Sequence, residues 1–266
     1  MTNAARRRRK GREADETVVQ QIAADLRQLG VREGGVLLAH SSLSALGHVP
    51  FGAETVIQGL LEALGPQGTL LMPALSYEHV TEKAPFFDVR RTPSNVGVIP
   101  ETFRTRPGTC RSVHPTHSVC GVGPRAGELL EDHELDTTPC GPHSPFRKLR
   151  EVEGQILMLG CGLRPNTSMH GIEELVEPPY LFDGPLTYVL ITADGRSTER
   201  TYMTHGFDGW VQRYDRVAQI LAPPDLRTGA VLMARCHLIE AAALWEAVLE
   251  ALRKDPLTFV DRDIVS

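Results

Sequence analysis

No apolar run in the 266-residue sequence approaches the roughly 18 residues that a membrane-spanning helix needs. The N-terminal stretch MTNAARRRRKGREADET is basic but lacks the apolar centre of a signal peptide. Residues 1–16 therefore read as a solvated, disordered basic arm, with one domain expected over 17–266. The net charge of -5 argues against a nucleic-acid partner and is ordinary for a soluble protein. Five cysteines, Cys110, Cys120, Cys140, Cys161 and Cys236, are odd in number and form no C-x-x-C. They read as reduced thiols of a cytoplasmic protein, with Cys120 and Cys161 in apolar settings that suit core residues.

Several nucleotide and nucleophile signatures are missing as well. There is no G-x-x-x-x-G-K-[ST] phosphate loop and no G-x-S-x-G nucleophile elbow. GVGPRA at 121–126 nominally fits a dinucleotide fingerprint, but Pro124 and the lack of a ribose-binding acid weaken it. No internal repeat or linker divides the chain.

The patterns that are present outline an α/β protein. Val18, Ile22, Leu26 and Leu29 recur at helical spacing and Gly30 follows as a C-terminal cap. GVLLAH (35–40), the helical AETVIQGLLEALG (53–65) and GTLLMPAL (68–75) make a strand–helix–strand unit, which predicts parallel pairing. SVCGVG (118–123) and GQILMLGCG (154–162) predict further strands, and 125–135 a helix. Two strand-like runs around Asp194-Gly195 predict a hairpin and hence a mixed sheet. Residues 208–221 and 238–254 are expected to be closing helices. Residues 76–117 are rich in Pro, Thr and His and read as a long loop-rich insertion of the kind that carries function. The expected fold is thus a mixed, mainly parallel central sheet flanked by helices.

Three stretches carry chemistry. In RPNTSMHGIEELVEPPY (164–180), Ser168 can cap a helix start, and acids near that end also suit the helix dipole. That accounts for Glu174 and Glu177 but not for His170. With Glu173 at i+3, His170 has a carboxylate on its own face to orient it, the arrangement of a general base. RSVHPTHSV (111–119) places His114 and His117 where they can line a pocket or bind a metal, although Pro115 between them spoils a helical ligand pair. HSSLSALG (40–47) follows a strand and precedes a helix; its hydroxyls and backbone N–H groups suit an anion, or simply a capped turn.

Taken in order, HSSL, GTLLMPAL, RSVHPTHSV, GPHSPFRKL and TSMHGIEE resemble the aminoglycoside 3-N-acetyltransferase family, from roughly Val36 to Tyr180. The resemblance implies an α/β fold distinct from the GNAT acetyltransferases and acetyl-coenzyme A as acetyl donor; no metal is expected, since Pro115 separates the His114 and His117 pair. It implies an amine of an aminoglycoside as acceptor, acetylated at the 3-amino group of the deoxystreptamine ring. Carried over, His40, Ser41, Ser42 and Leu43 sit at the coenzyme site. Arg111, Ser112, His114, His117, Ser118 and Val119 line the coenzyme and the reacting centre. His170 and Glu173 act as base and orienter. The mechanism expected from these residues is direct transfer without a covalent enzyme intermediate, with Ser118 or a backbone N–H on the thioester oxygen. The sequence departs from the family at Gly171, where an aromatic residue is frequent. For a polycationic acceptor, Asp88, Glu174, Glu177, Asp183 and Asp208 are the candidate carboxylates. Two other readings stay open: a metal-dependent hydrolase using His114, His117, His170 and Glu173, and a binding module that keeps the fold without catalysis. A non-aminoglycoside amine also remains open as acceptor. The oligomeric state is open, a homodimer included.

Overall fold

The computed structural model describes residues 15–263, so most of the basic N-terminal arm lies outside the described residues. Helix α1 (Glu16–Leu29) starts where the Asp15 side chain accepts the Thr17 N–H. It ends at Gly30, whose φ of 111° lets its N–H turn back to the Leu26 and Arg27 carbonyls. Strand β1 (Val36–Ser41), helix α2 (Ala53–Leu64) and strand β2 (Thr69–Pro73) follow as expected, with β1 and β2 parallel. Next come β3 (Phe86–Asp88), α3 (Val98–Thr105), β4 (Cys110–Arg111) and β5 (Val119–Val122). Short helices α4 (Ala126–Leu130) and α5 (Pro145–Lys148) lead to β6 (Gln155–Leu159) and helix α6 (Ser168–Glu173). The chain closes with β7 (Phe182–Ile191), β8 (Ser197–His205), β9 (Trp210–Gln212), β10 (Leu226–Val231), β11 (Ala234–Glu240), α7 (Ala241–Lys254) and β12 (Val260–Arg262).

The seven-stranded central sheet has the order β10-β11-β6-β1-β2-β5-β4. It is mixed, as expected, but its parallel part is confined to β6, β1 and β2; the outer strands on both sides run antiparallel. Strands β1 and β6 are apolar on both faces because helices cover both. Leu37, Ala39, Leu70, Leu157 and Leu238 pack under α1 and α2. Val36, Leu38, Leu71, Ile156 and Ile239 pack under α6, α7 and the segment around Phe146. The two-residue period of a strand then places His40 on the same face as Val36 and Leu38, toward α6.

The predicted 186–204 hairpin exists as β7 and β8, but it pairs with β3 in a separate three-stranded sheet. The mixed character of the central sheet therefore comes from β5 and the β10–β11 hairpin instead. Residues 208–221 do not form a helix. They hold β9, which pairs with β12, and a 3₁₀ turn over Tyr214–Gln219. Tyr214 and Val217 are buried three residues apart, a spacing that a 3₁₀ turn satisfies as well as an α-helix. Residues 76–117 are more structured than a loop, since β3, α3 and β4 lie within them.

Candidate active site

The carboxyl ends of the parallel strands open into a cavity of about 680 Å³, the usual place for a ligand in an open α/β sheet. His40 and Ser41 at the end of β1, Pro73 at the end of β2 and Cys161 just beyond β6 line its floor. Tyr77, Val80, Thr81 and Glu82, from the long insertion, form part of the wall. Asp183, Leu186, Tyr188, Thr204 and His205, from the β7–β8 hairpin, form another. His170 and Tyr214 also line it.

Helix α6 has only six residues, and its start differs from the expected cap. Thr167 occupies the cap position without a side-chain bond, and the buried Ser168 hydroxyl has no partner. Asn166 Oδ1 instead accepts the Ser168 N–H. The geometry of His170 and Glu173 is as the sequence suggests: His170 Nδ1 lies 3.1 Å from Glu173 Oε2. Two tyrosines complete the arrangement. Tyr214 donates to Glu173 Oε2 at 2.7 Å, and Tyr180 to Oε1 at 2.9 Å. Burial, and then the nearby Glu173 charge, push both phenols well above their ordinary range, so both stay protonated donors. With Nδ1 engaged, Nε2 is the free ring nitrogen of His170.

Glu174 has a different role from the expected acceptor contact. Its carboxylate is buried and takes the Thr138 hydroxyl at 2.7 Å, the Cys140 N–H at 2.8 Å and His205 Nε2 at 3.0 Å. Burial raises its pKa. His205 is thereby anchored with its ring centroid 4.8 Å from that of His170. Nothing in the sequence pairs these two residues, because 31 positions separate His205 from Glu174. Tyr214 is equally invisible, whereas Tyr180 ends the very stretch that carries His170.

The segment 111–119 reaches the cavity only through Thr116 and His117. Arg111 is a structural bracket, donating to the Ser118 hydroxyl and to the Ala74 and Thr92 carbonyls. The Ser118 hydroxyl donates to Ala74 O, so it is not free to stabilise a thioester oxygen. Ser112 binds His133 and accepts the Val119 N–H, and Val119 is core. His114 Nδ1 accepts the Thr116 and His117 N–H groups and stacks on His133. Burial lowers the pKa of His114 and His117 well below the ordinary value.

At the end of β1, His40 Nε2 and Ser41 Oγ are buried without protein partners and their residues line the cavity. Burial, then the neighbouring His170, lower the His40 pKa to about 3. Ser41 also belongs to a second depression, formed with Ser42, Leu43, Ser44, Gly47 and Val98. Of the candidate carboxylates, Asp183 lines the main cavity, joined by Glu82. Asp88, Glu177 and Asp208 do not line it. Asp88 caps its own turn by accepting the Arg90 and Arg91 N–H groups. Glu177 and Asp208 are solvent-exposed elsewhere on the surface.

The metal set expected for a hydrolase is not assembled. Glu173 is consumed by its three donors and His114 by its own turn; His205 takes their place beside His117 and His170.

His170, held by the Glu173 carboxylate, faces a cavity at the carboxyl ends of the parallel strands, the usual ligand position in an open α/β sheet. Residues 38–253 match the family model described as aminoglycoside 3-N-acetyltransferase, so the chain belongs to that family and is an acyltransferase. It is 33% identical to aminoglycoside N(3)-acetyltransferase IV of Salmonella sp., covering 90% of this chain and 89% of that one. Among solved structures, a histidine-to-alanine mutant of aminoglycoside acetyltransferase AAC(3)-IVa in complex with a gentamicin superposes with a TM-score of 0.78. That pair shares 31% identity over 90% of this chain and 89% of that chain. The AAC-IIIb binary complex with CoASH also superposes with a TM-score of 0.78, at 30% identity over 89% of this chain and 96% of that chain. No described helix is long and apolar enough to cross a membrane.

Proposed function

We propose that the chain transfers acetyl from acetyl-coenzyme A directly to the 3-amino group of an aminoglycoside, with His170 as general base and Glu173 as its orienter. The observation that carries this reading is the closed Tyr180–Glu173–Tyr214 arrangement, which fixes Nδ1 of His170 and leaves Nε2 for the acceptor amine. The acceptor ammonium first gives one proton to solvent, which exposes the nitrogen lone pair. Nε2 takes the second proton as the C–N bond forms and passes it to the sulfur as the C–S bond breaks, so coenzyme A leaves as the thiol. Ser41, at the junction of the two depressions, and Ser42, in the second, supply hydroxyls to the coenzyme, and His40 adds a ring nitrogen. Glu82 and Asp183 supply negative charge for a polycationic acceptor.

Direct transfer is favoured because the cavity offers no primed nucleophile among the described residues. Burial pushes the Cys161 thiol up to about 12, which keeps it protonated. The Ser41 hydroxyl has no base bonded to it.

A thiol-release assay with acetyl-coenzyme A against a panel of aminoglycosides and simple amines tests the function. Turnover with a 2-deoxystreptamine aminoglycoside, and an acetyl placed on the 3-amino group by NMR, is the expected result. Silence with every aminoglycoside but turnover of another amine discards the acceptor and keeps the chemistry. His170→Ala is expected to lower kcat by a factor on the order of 100 or more while coenzyme A affinity holds. Near-normal turnover in that variant overturns the base assignment.

A further inference from the structure

Three histidines from three separate parts of the chain converge at the cavity wall. One ring nitrogen each of His117, His170 and His205 lies within 4.8 Å of the other two. Their ring centroids are 4.8, 5.2 and 6.0 Å apart. Each ring has one nitrogen already held. Thr116 Oγ1 holds His117 Nδ1 at 2.8 Å, Glu173 holds His170 Nδ1, and Glu174 holds His205 Nε2. The nitrogens left over are His117 Nε2, His170 Nε2 and His205 Nδ1, and the last is buried without a partner.

We propose that these three nitrogens form a binding site for a divalent transition-metal ion of the zinc class, and that the bound ion blocks acetyl transfer. The pattern of outer hydrogen bonds is the one that metal-bound imidazoles need: a carboxylate or hydroxyl fixes the far nitrogen and aims the near one. Glu173 and Glu174 place two carboxylates directly behind the ligands, the second already shared with Arg147 at 3.7 Å. Three imidazoles select zinc, cobalt or copper over magnesium and calcium, which demand oxygen ligands. The cavity supplies an open fourth position, as in three-histidine zinc sites. Bonds of about 2.1 Å in tetrahedral geometry place nitrogens about 3.4 Å apart, so the rings must close by on the order of an ångström. His117, on the loop before β5 and held at its ring only by the neighbouring Thr116 hydroxyl, is the ring that moves. The site stands on the geometry alone. The blocking effect rests on the proposed role of His170, because the ion takes the Nε2 that the amine needs.

The test uses the full chain, stripped with a chelator, and Co²⁺ as the spectroscopic ion. One equivalent is expected to produce a saturable visible d–d band of four-coordinate intensity, displaced by one equivalent of Zn²⁺ in calorimetry. His205→Ala and His117→Ala are each expected to abolish the band, and the exposed His79→Ala to leave it intact. Glu174→Gln, which keeps all three ligands, is expected to weaken zinc by about 10- to 100-fold. Circular dichroism melts establish that each variant is folded. A band that persists in folded His205→Ala and His117→Ala overturns the site, as does the absence of saturable binding in the unmodified chain. Acetylated product, measured by mass spectrometry, is expected to fall as zinc saturates and to recover with chelator. Zinc bound at the three histidines with transfer unaffected removes the blocking effect and the base assignment together, while the site stands.

Discussion

Glu173 and Glu174 are adjacent in the chain, yet each serves a different histidine. Glu173 receives two phenols and the His170 ring, and Glu174 receives a hydroxyl, a backbone N–H and the His205 ring. The Tyr214 hydroxyl is the tightest part of the first set, 2.7 Å from Glu173 Oε2 and 3.0 Å from His170 Nδ1. Tyr214→Phe keeps the ring in its packing and deletes only this bridge. A hydrogen bond to a charged group is worth about 1.5–3 kcal/mol, so kcat is expected to fall on the order of 10- to 100-fold with little change in KM. Tyr180→Phe removes a bond to the other oxygen and leaves the His170 side intact, so its kcat loss is expected to be smaller. Steady-state kinetics of the two variants check the order. Equal losses show that Glu173 acts as one rigid unit, and no loss in Tyr214→Phe shows that the phenol only packs.

Helix α6 shows what local pattern reveals and what it does not. The H-x-x-E spacing puts His170 and Glu173 on one face whatever surrounds them, so that pair is legible in sequence. Of the partners of the pair, Tyr180 ends the same stretch, but Tyr214 and His205 come from 41 and 31 positions beyond Glu173 and Glu174, and only the tertiary fold brings them in. The same limit explains the misread segment 208–221, where pairing of β9 with β12 overrides a helical periodicity. It also explains why Arg111 and Ser118 looked like ligand contacts when they are brackets for Ala74 and Thr92. By contrast α1, β1, α2 and β2 are legible almost to the residue, because a buried strand and an amphipathic helix depend on their own pattern.

Gly171 ties this helix to α7. A Cβ there meets Trp245 at 2.8 Å and Cys140 at 3.5 Å. The departure from a bulky residue at this position thus fits an indole that already fills the space. Gly171→Leu is expected to cost about 1–3 kcal/mol by overpacking, or about 2–6 °C in Tm for a chain of this size. It is also expected to lower kcat by shifting His170. Paired Gly171→Leu and Trp245→Ala substitutions should recover part of the Tm loss. A single variant with unchanged Tm and kcat shows that α7 yields freely.

At the scale of the whole molecule, the unusual quantity is the number of buried neutral histidines. Burial lowers the pKa of His40 and His133 to about 3 and those of His114, His117 and His205 well below the ordinary value. In the unfolded chain each returns to about 6.5. Below that pH the unfolded chain binds more protons than the native one, so stability is complete above about 6.5 and is lost as pH falls toward the folded values. Two carboxyls oppose this. Burial raises the Asp136 pKa to about 6 and raises that of Glu174, so between their unfolded and folded values the native state binds the extra proton. The five lowered histidines outnumber the two raised carboxyls, so the unfolded chain takes up more protons and stability falls as pH drops below about 6.5. Against a total stability of about 5–15 kcal/mol, the chain is expected to unfold within a few pH units below neutrality. Urea denaturation at a series of pH values measures the slope directly. His133→Asn, remote from the cavity, is expected to flatten it by about one proton, or about 1.4 kcal/mol per pH unit. A slope that stays flat from pH 7 to 5 shows that the native histidines take up protons as readily as the unfolded ones, and with it the claim that they are held neutral by burial fails.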